Sequence, residues 1–169
     1  MFKKIAIILI SMLMTLSFIP MNASAAESDT FDITVTGEFL WIDITNATWA
    51  IGTVAMSSVT YTNETGITFI ADISNSSVST DLKLEITGDG TTWNSAAAAA
   101  GIGADTYLLN ASIDTWVADD TQVVATPSTI SSGITAGQDE SFDLMFSAPS
   151  STTVGDAQSI TVTASVVKA

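Results

Sequence analysis

The chain contains no cysteine, histidine or arginine, and these absences restrict its chemistry. Without cysteine, no disulfide can support the fold, even in an oxidising compartment. Without histidine, Ser-His-Asp catalysis and histidine-ligated zinc are excluded. Without arginine, the guanidinium clamps that stabilise transferring phosphoryl groups are missing. Few enzymatic mechanisms survive these exclusions.

Basic residues of any kind are scarce. The whole sequence has a net charge of −14. Two of its four lysines lie in the N-terminal leader described below, so eighteen acidic residues then face only Lys83 and Lys168, a net charge of −16. Such a surface repels nucleic acids and anionic membranes, and neither is an expected partner.

The N-terminal segment has the features of a secretory leader. Lys3 and Lys4 precede an apolar run over residues 5–19, and Pro20 then ends any helix. The run is short for a membrane span, which needs about 20 residues. An uncleaved membrane anchor is the alternative interpretation.

The small residues Ala23 and Ala25 match the pattern that signal peptidase recognises. They predict that residues 1–25 are removed and that residues 26–30 form a flexible mature N-terminus. We therefore expect a secreted protein, extracellular or at the cell surface, with no stable membrane anchor after cleavage.

What remains is dominated by alternating apolar and polar residues. This period-two pattern predicts half-buried strands of antiparallel sheets. It recurs in six segments, "FDITVTG", "ITFIADIS", "DLKLEIT", "YLLNASI", "SFDLMFS" and "SITVTASVV". "EFLWIDIT" and "WAIGTVAM" are less regular but rich in β-formers, and Asp89-Gly90 suggests a hairpin turn. We predict an all-β fold, a single β-sandwich over residues 31–169, with one short helical or loop insertion near residues 95–101.

Carboxylates are the only catalytic groups present in number. Asp119-Asp120 and Asp139-Glu140 are adjacent pairs, and adjacent side chains of a strand point to opposite faces. Glycoside hydrolysis needs two carboxyl groups that converge across a cleft. The pattern favours a solvated acidic surface, so we expect no catalytic residues and no enzyme activity.

Calcium is the one cofactor that the sequence leaves open. Asp114, Asp119 and Asp120 are weak candidate ligands, because oxygen-rich loops can hold this ion. However, the chain has no Asp-x-Asp-x-Asp-Gly loop, and otherwise we expect no cofactor or metal.

Two further groups of residues are candidate sites. Trp93 and Trp116 are candidate sugar contacts by ring stacking, whereas Trp41 and Trp49 lie in apolar context and are expected in the core. Glycosylation sequons of the Asn-x-Ser/Thr type begin at Asn46, Asn63, Asn75 and Asn110.

The C-terminal third, "TAGQDESFDLMFSAPSSTTVGDAQSITVTASV", resembles the closing strands of Ig-like modules of the CARDB kind. These modules occur in exported bacterial and archaeal surface proteins. The resemblance implies an Ig-like or jelly-roll-like sandwich without catalytic residues. A more distant similarity is to TasA-type exported fibre subunits, in which the mature N-terminus pairs with the next subunit.

These observations predict a non-catalytic structural or adhesive subunit at the cell surface. Its partners would be itself, other surface proteins or glycans. Phe31, Ile33 and Val35 form one face of a candidate donor strand for assembly by strand exchange. Alternatively, the same strand pairs within its own sandwich, or the protein is a stand-alone extracellular binding module for carbohydrate or calcium.

Overall fold

The computed structural model of the protein describes residues 32–114, 116 and 120–169. The predicted signal peptide, residues 26–30 and Phe31 lie outside this part of the chain. Residue contacts group Gly37–Ala169 into one unit and Met1–Thr36 into another. Of the N-terminal unit only residues 32–36 are described, and they contain no strand.

Within the described residues, strands and two three-residue 3-10 helices are the regular elements. The helices are Asn63–Thr65 and Ala99–Gly101. The ten strands, in chain order, are β1 Asp43–Thr45, β2 Val59–Tyr61, β3 Phe69–Asp72, β4 Thr80–Gly88, β5 Asn94–Ser95, β6 Thr106–Ser112, β7 Thr121–Val123, β8 Ser128–Ile134, β9 Glu140–Ser147 and β10 Thr161–Lys168.

The strands form two sheets of unequal size. The larger sheet has seven strands, with the order β1-β3-β9-β6-β5, while β2 also pairs with β9 and β7 with β6. The smaller sheet has three strands, with the order β10-β4-β8. All pairs between these strands are antiparallel except β5 with β6.

One hydrophobic core takes side chains from both sheets. In β4 the period-two residues predicted to share a face are all buried, and the same holds for those of β9. The two sets belong to one cluster, Leu82, Leu84 and Ile86 from β4 with Phe142, Leu144 and Phe146 from β9. The prediction of an all-β, sandwich-like fold is therefore confirmed at this level.

Several local predictions are wrong. Residues 32–37 and 49–56 contain no strand, although "FDITVTG" and "WAIGTVAM" were expected to form strands. Asp89-Gly90 does not form a β-hairpin: β4 ends at Gly88, and the next strand, β5, lies in the other sheet. Strand β8 falls on "STISSGI", which is not one of the six alternating segments.

The alanine run near residues 95–101 contains the 3-10 helix Ala99–Gly101, directly after β5. An isolated turn of this length has little stability of its own. Its neighbour Ala96 is buried, and the backbone N–H of Ala96 donates to the carbonyl oxygen of Tyr107 at 2.7 Å. The segment is thus held by contacts with β6.

No helix in the described residues is long and apolar enough to cross a membrane.

The core packing predicts a large cost for truncating β9. Leu144 is 6% exposed, so Leu144→Ala should lower the free energy of unfolding by about 2 to 5 kcal/mol. Thr129→Ala, at an exposed position of β8, should change it by no more than about 0.5 kcal/mol. Urea unfolding followed by circular dichroism gives both values, and equal losses would contradict the assignment of the core.

Candidate functional site

An apolar groove lies between the two sheets. Its cavity has a volume of about 780 Å³. Side chains of both sheets line it, and so do residues 49–54 and the chain before β10. The deepest walls are buried core residues, Leu84 of β4, Leu109 of β6, and Phe142, Leu144 and Phe146 of β9.

Strand β10 forms one border of this groove and is an open edge. It pairs with β4 along its length, from Thr161 opposite Gly88 to Lys168 opposite Thr80. Within the described chain it has no partner strand on its other side. Val162 and Ala164 line the groove and are only partly buried.

Val162 thus packs against the core without being fully buried. The edge of a three-stranded sheet leaves this side chain covered on one side only. The strand combines unpaired backbone hydrogen-bonding groups with incompletely covered apolar side chains, and such an edge can accept a further strand.

Residues 49–54 form part of the groove's lining. The side chains of Trp49, Ile51 and Val54 line the cavity and pack, partly buried, against the core. The prediction that Trp49 belongs to the core is thus met only in part. Its indole Nε1 is buried and has no hydrogen-bond partner among the described residues.

A polar network fixes one end of the groove. The ring of Trp93 is buried and stacks on Phe146, with 6.2 Å between ring centroids. Its Nε1 donates to Thr152 Oγ1 at 2.9 Å, and this hydroxyl donates to Asp105 Oδ1 at 2.7 Å. The backbone N–H of Thr153 also donates to Asp105 Oδ1, at 2.9 Å. Hydrogen bonds from Thr152 and Thr153 hold the pKa of Asp105 below its usual value.

A second carboxylate ties the end of β4 to β6. Asp89 Oδ1 accepts from the Tyr107 hydroxyl at 2.6 Å and from the Ser95 backbone N–H at 2.9 Å. Burial, reinforced by the Asp89 carboxylate, raises the pKa of Tyr107 above its ordinary value. Asp89 is therefore a tertiary hydrogen-bond acceptor rather than a hairpin residue.

Neither candidate sugar contact, Trp93 or Trp116, has the exposed ring that sugar stacking needs. Trp93 is only 8% exposed, so its ring faces are covered by the core. Trp116 is partly buried and meets Tyr61 edge to face, with 5.2 Å between centroids.

Trp41, predicted to lie in the core, is 43% exposed instead. It is near-parallel to the exposed ring of Phe39, with centroids 6.4 Å apart. The backbone beneath these rings is fixed, because the Phe39 and Trp41 N–H groups donate to the hydroxyls of Ser77 and Ser76. The hydrophobicity of "EFLWI" gave no signal of this exposure.

The other candidate residues are scattered. The described residues hold no group of three or more His, Cys, Asp or Glu side chains that could bind a metal ion. Asp114 Oδ1 accepts from the Ser112 hydroxyl at 2.8 Å, Asp120 is exposed, and Asp119 lies outside the described residues.

The four sequons differ in accessibility. Asn46, Asn63 and Asn75 are exposed. Asn110 lies within β6, between β7 and β9, and its Oδ1 is buried. The first three thus have the surface position that glycosylation requires, whereas Asn110 does not.

The candidate donor strand is described in part. Phe31 lies outside the described residues, while Ile33 and Val35 are 74% and 83% exposed. Residues 32–36 keep their alternating pattern without belonging to any strand.

In comparisons with known proteins, no family model, no curated protein and no solved structure matches this chain.

The Asp105 network predicts a specific weakness in acid. A carboxylate with a lowered pKa in the folded state contributes stability above its unfolded pKa of about 3.9. That contribution is lost as the pH falls through the folded value. Asp105→Asn should therefore flatten the decline of melting temperature below about pH 4 relative to the parent protein.

The matched control is Glu64→Gln, which removes one exposed carboxylate outside the Asp105 network. Its melting temperature should depend on pH much as that of the parent protein does. Calorimetry between neutral pH and about pH 2 measures all three proteins, a range that spans the titration of the carboxylate. If the melting temperature of Asp105→Asn falls with pH as steeply as that of the parent protein, this network does not cause the acid sensitivity.

Proposed function

We propose that the protein is an exported, non-catalytic structural or adhesive subunit of the cell surface that assembles by strand exchange. One observation carries this proposal. Residues 32–36 alternate as a strand does, yet they lie in no strand and expose Ile33 and Val35 almost completely. Exposed apolar side chains in a strand-like pattern are typical of a segment that pairs with another chain.

The groove beside β10 has the chemistry to accept this segment. An incoming strand would bond to the unpaired backbone groups of β10 and place alternate side chains against the apolar walls. The five residues 32–36 span about 17 Å in extended form. Strand β10, from Thr161 to Lys168, is long enough to pair with all of them.

A second copy of the chain is the partner that this arrangement favours, since each copy carries both the segment and the groove. Repeating the contact head to tail would give an open chain of subunits. The strongly negative charge opposes such an assembly at low ionic strength. Salt screens the repulsion, so subunit association should strengthen as salt is raised.

Removing the apolar face of the donor should abolish assembly. The mature protein should show a concentration-dependent mass in raised salt, while Ile33→Asp/Val35→Asp should remain monomeric. Thr34→Asp adds a charge on the opposite face and should still assemble. These positions are exposed, so none of the changes should alter the melting temperature of the monomer by much.

Light scattering with negative-stain microscopy measures the outcome. If the parent protein stays monomeric at high concentration in raised salt, strand exchange is wrong.

Export itself rests on the leader sequence. The secreted form should begin at Ala26, because Ala23 and Ala25 occupy the small-residue positions. Intact mass of the extracellular protein measures this directly. Retention of residues 1–25 in that fraction would overturn the signal-peptide assignment.

A carbohydrate-binding module is the second candidate, favoured by the exposed rings of Phe39 and Trp41. A sugar ring can stack on such aromatic faces. The two functions separate experimentally. A binding module would remain monomeric and be retained on a glycan column, and Trp41→Ala would lose that retention.

A further inference from the structure

We propose that residues 49–54 form a strap that covers the groove in the free subunit and leaves it when a strand pairs with β10. This inference rests on the proposed strand exchange and concerns its control. The strap and the incoming strand would use the same apolar walls, so only one of them can occupy the groove at a time.

The side chains of the strap hold it in place. Ile51 and Val54 contact the core and are partly buried, whereas Ala50, Gly52 and Thr53 between them are exposed. The contact is therefore apolar and one-sided. It shields part of the surface that Phe142 and Leu144 turn towards the cavity.

The backbone of the strap contributes little to holding it. Residues 49–54 make no backbone–backbone hydrogen bond within the described chain. The flanking residues are anchored, because the Asn46 side-chain amide donates to the Thr68 carbonyl at 3.1 Å and the Ser57 N–H to the Pro149 carbonyl at 2.9 Å. Release of the strap would break apolar contacts but no ladder of hydrogen bonds, unlike release of a true strand.

Residues with left-handed backbone lie on both sides of the strap and within it. Asn46 has a φ of 60°, Gly52 of 78° and Ser57 of 61°. A left-handed residue is incompatible with extended strand geometry. Gly52 therefore interrupts "WAIGTVAM" as a strand, despite its β-forming residues.

Trp49 gives the covered state an internal cost. Its Nε1 is buried and has no hydrogen-bond partner among the described residues, and a buried unpaired donor is destabilising. Moving the strap into water would restore that hydrogen bond. Apolar contacts therefore favour the covered state, whereas the hydrogen bond of Trp49 with water favours the open state. A strand that binds only the open state shifts the population towards it.

The absence of cysteine allows a direct test. Val54→Cys places a single thiol on the partly buried side of the strap, and Thr53→Cys places one on its exposed side. Both changes are made in the Ile33→Asp/Val35→Asp protein, whose own donor segment is disabled. A peptide of residues 27–36 then serves as the added strand, with a scrambled peptide as control.

Maleimide labelling of the Val54→Cys protein should accelerate several-fold when the peptide is added, because its thiol leaves the groove with the strap. Labelling of the Thr53→Cys protein should not change, since its thiol is exposed in both states. The scrambled peptide should affect neither protein. If Val54→Cys does not fold, as judged by its melting transition, Ile51→Cys tests the same inward side.

Hydrogen exchange of residues 161–168, measured in parallel, separates the two proposals. Protection of β10 with faster labelling at position 54 supports both strand exchange and the strap. Protection of β10 without faster labelling overturns the strap and leaves strand exchange standing. If β10 gains no protection, strand pairing at this edge is wrong, and the strap proposal falls with it.

Discussion

The unequal size of the two sheets shapes the groove between them and the burial of the residues that line it. An apolar sheet face must be covered, and here three strands face a sheet of seven. Leu84 of the smaller sheet and Leu144 of the larger one belong to one core, and the irregular residues Ile51 and Val54 pack against it. The groove, the half-buried side chains of β10 and the position of residues 49–54 all follow from this mismatch.

The loops around this core are held without disulfides and with almost no ion pairs. Lys168 with Glu38 is the one salt bridge within the described residues. Most other bonded carboxylates accept from hydroxyls and backbone amides instead, as Asp105 does from Thr152 and Thr153, and Asp143 from Thr62. Abundant Ser and Thr thus supply the donors that scarce basic residues cannot. This arrangement also links tertiary structure to the ionised state of the carboxylates.

The proposed assembly would reduce the difference in size between the two sheets. A strand added at β10 would enlarge the smaller sheet and cover apolar surface now covered by a strap with few hydrogen bonds. On this view, the monomer is a sandwich-like fold whose smaller sheet is one strand short. The acidic surface would then set when subunits associate, because charge repulsion acts at longer range than the contact itself.

The amino-acid pattern alone predicted the all-β class and the inward faces of β4 and β9. The alternation of Leu82, Leu84 and Ile86 is a local property of the chain, and the pleat of a strand converts it directly into burial. The same holds for Phe142, Leu144 and Phe146.

Whether a segment with that local pattern becomes a paired strand depends on the rest of the fold. Residues 32–36 alternate as cleanly as β4 but have no partner strand, because pairing depends on which edges the fold leaves open. Trp93 became buried and Trp41 exposed, although their neighbours in sequence suggested the reverse. Val162 is half-buried because its strand lies at a sheet edge. Burial and pairing at such positions depend on contacts between residues distant in sequence, and no periodicity along the chain records them.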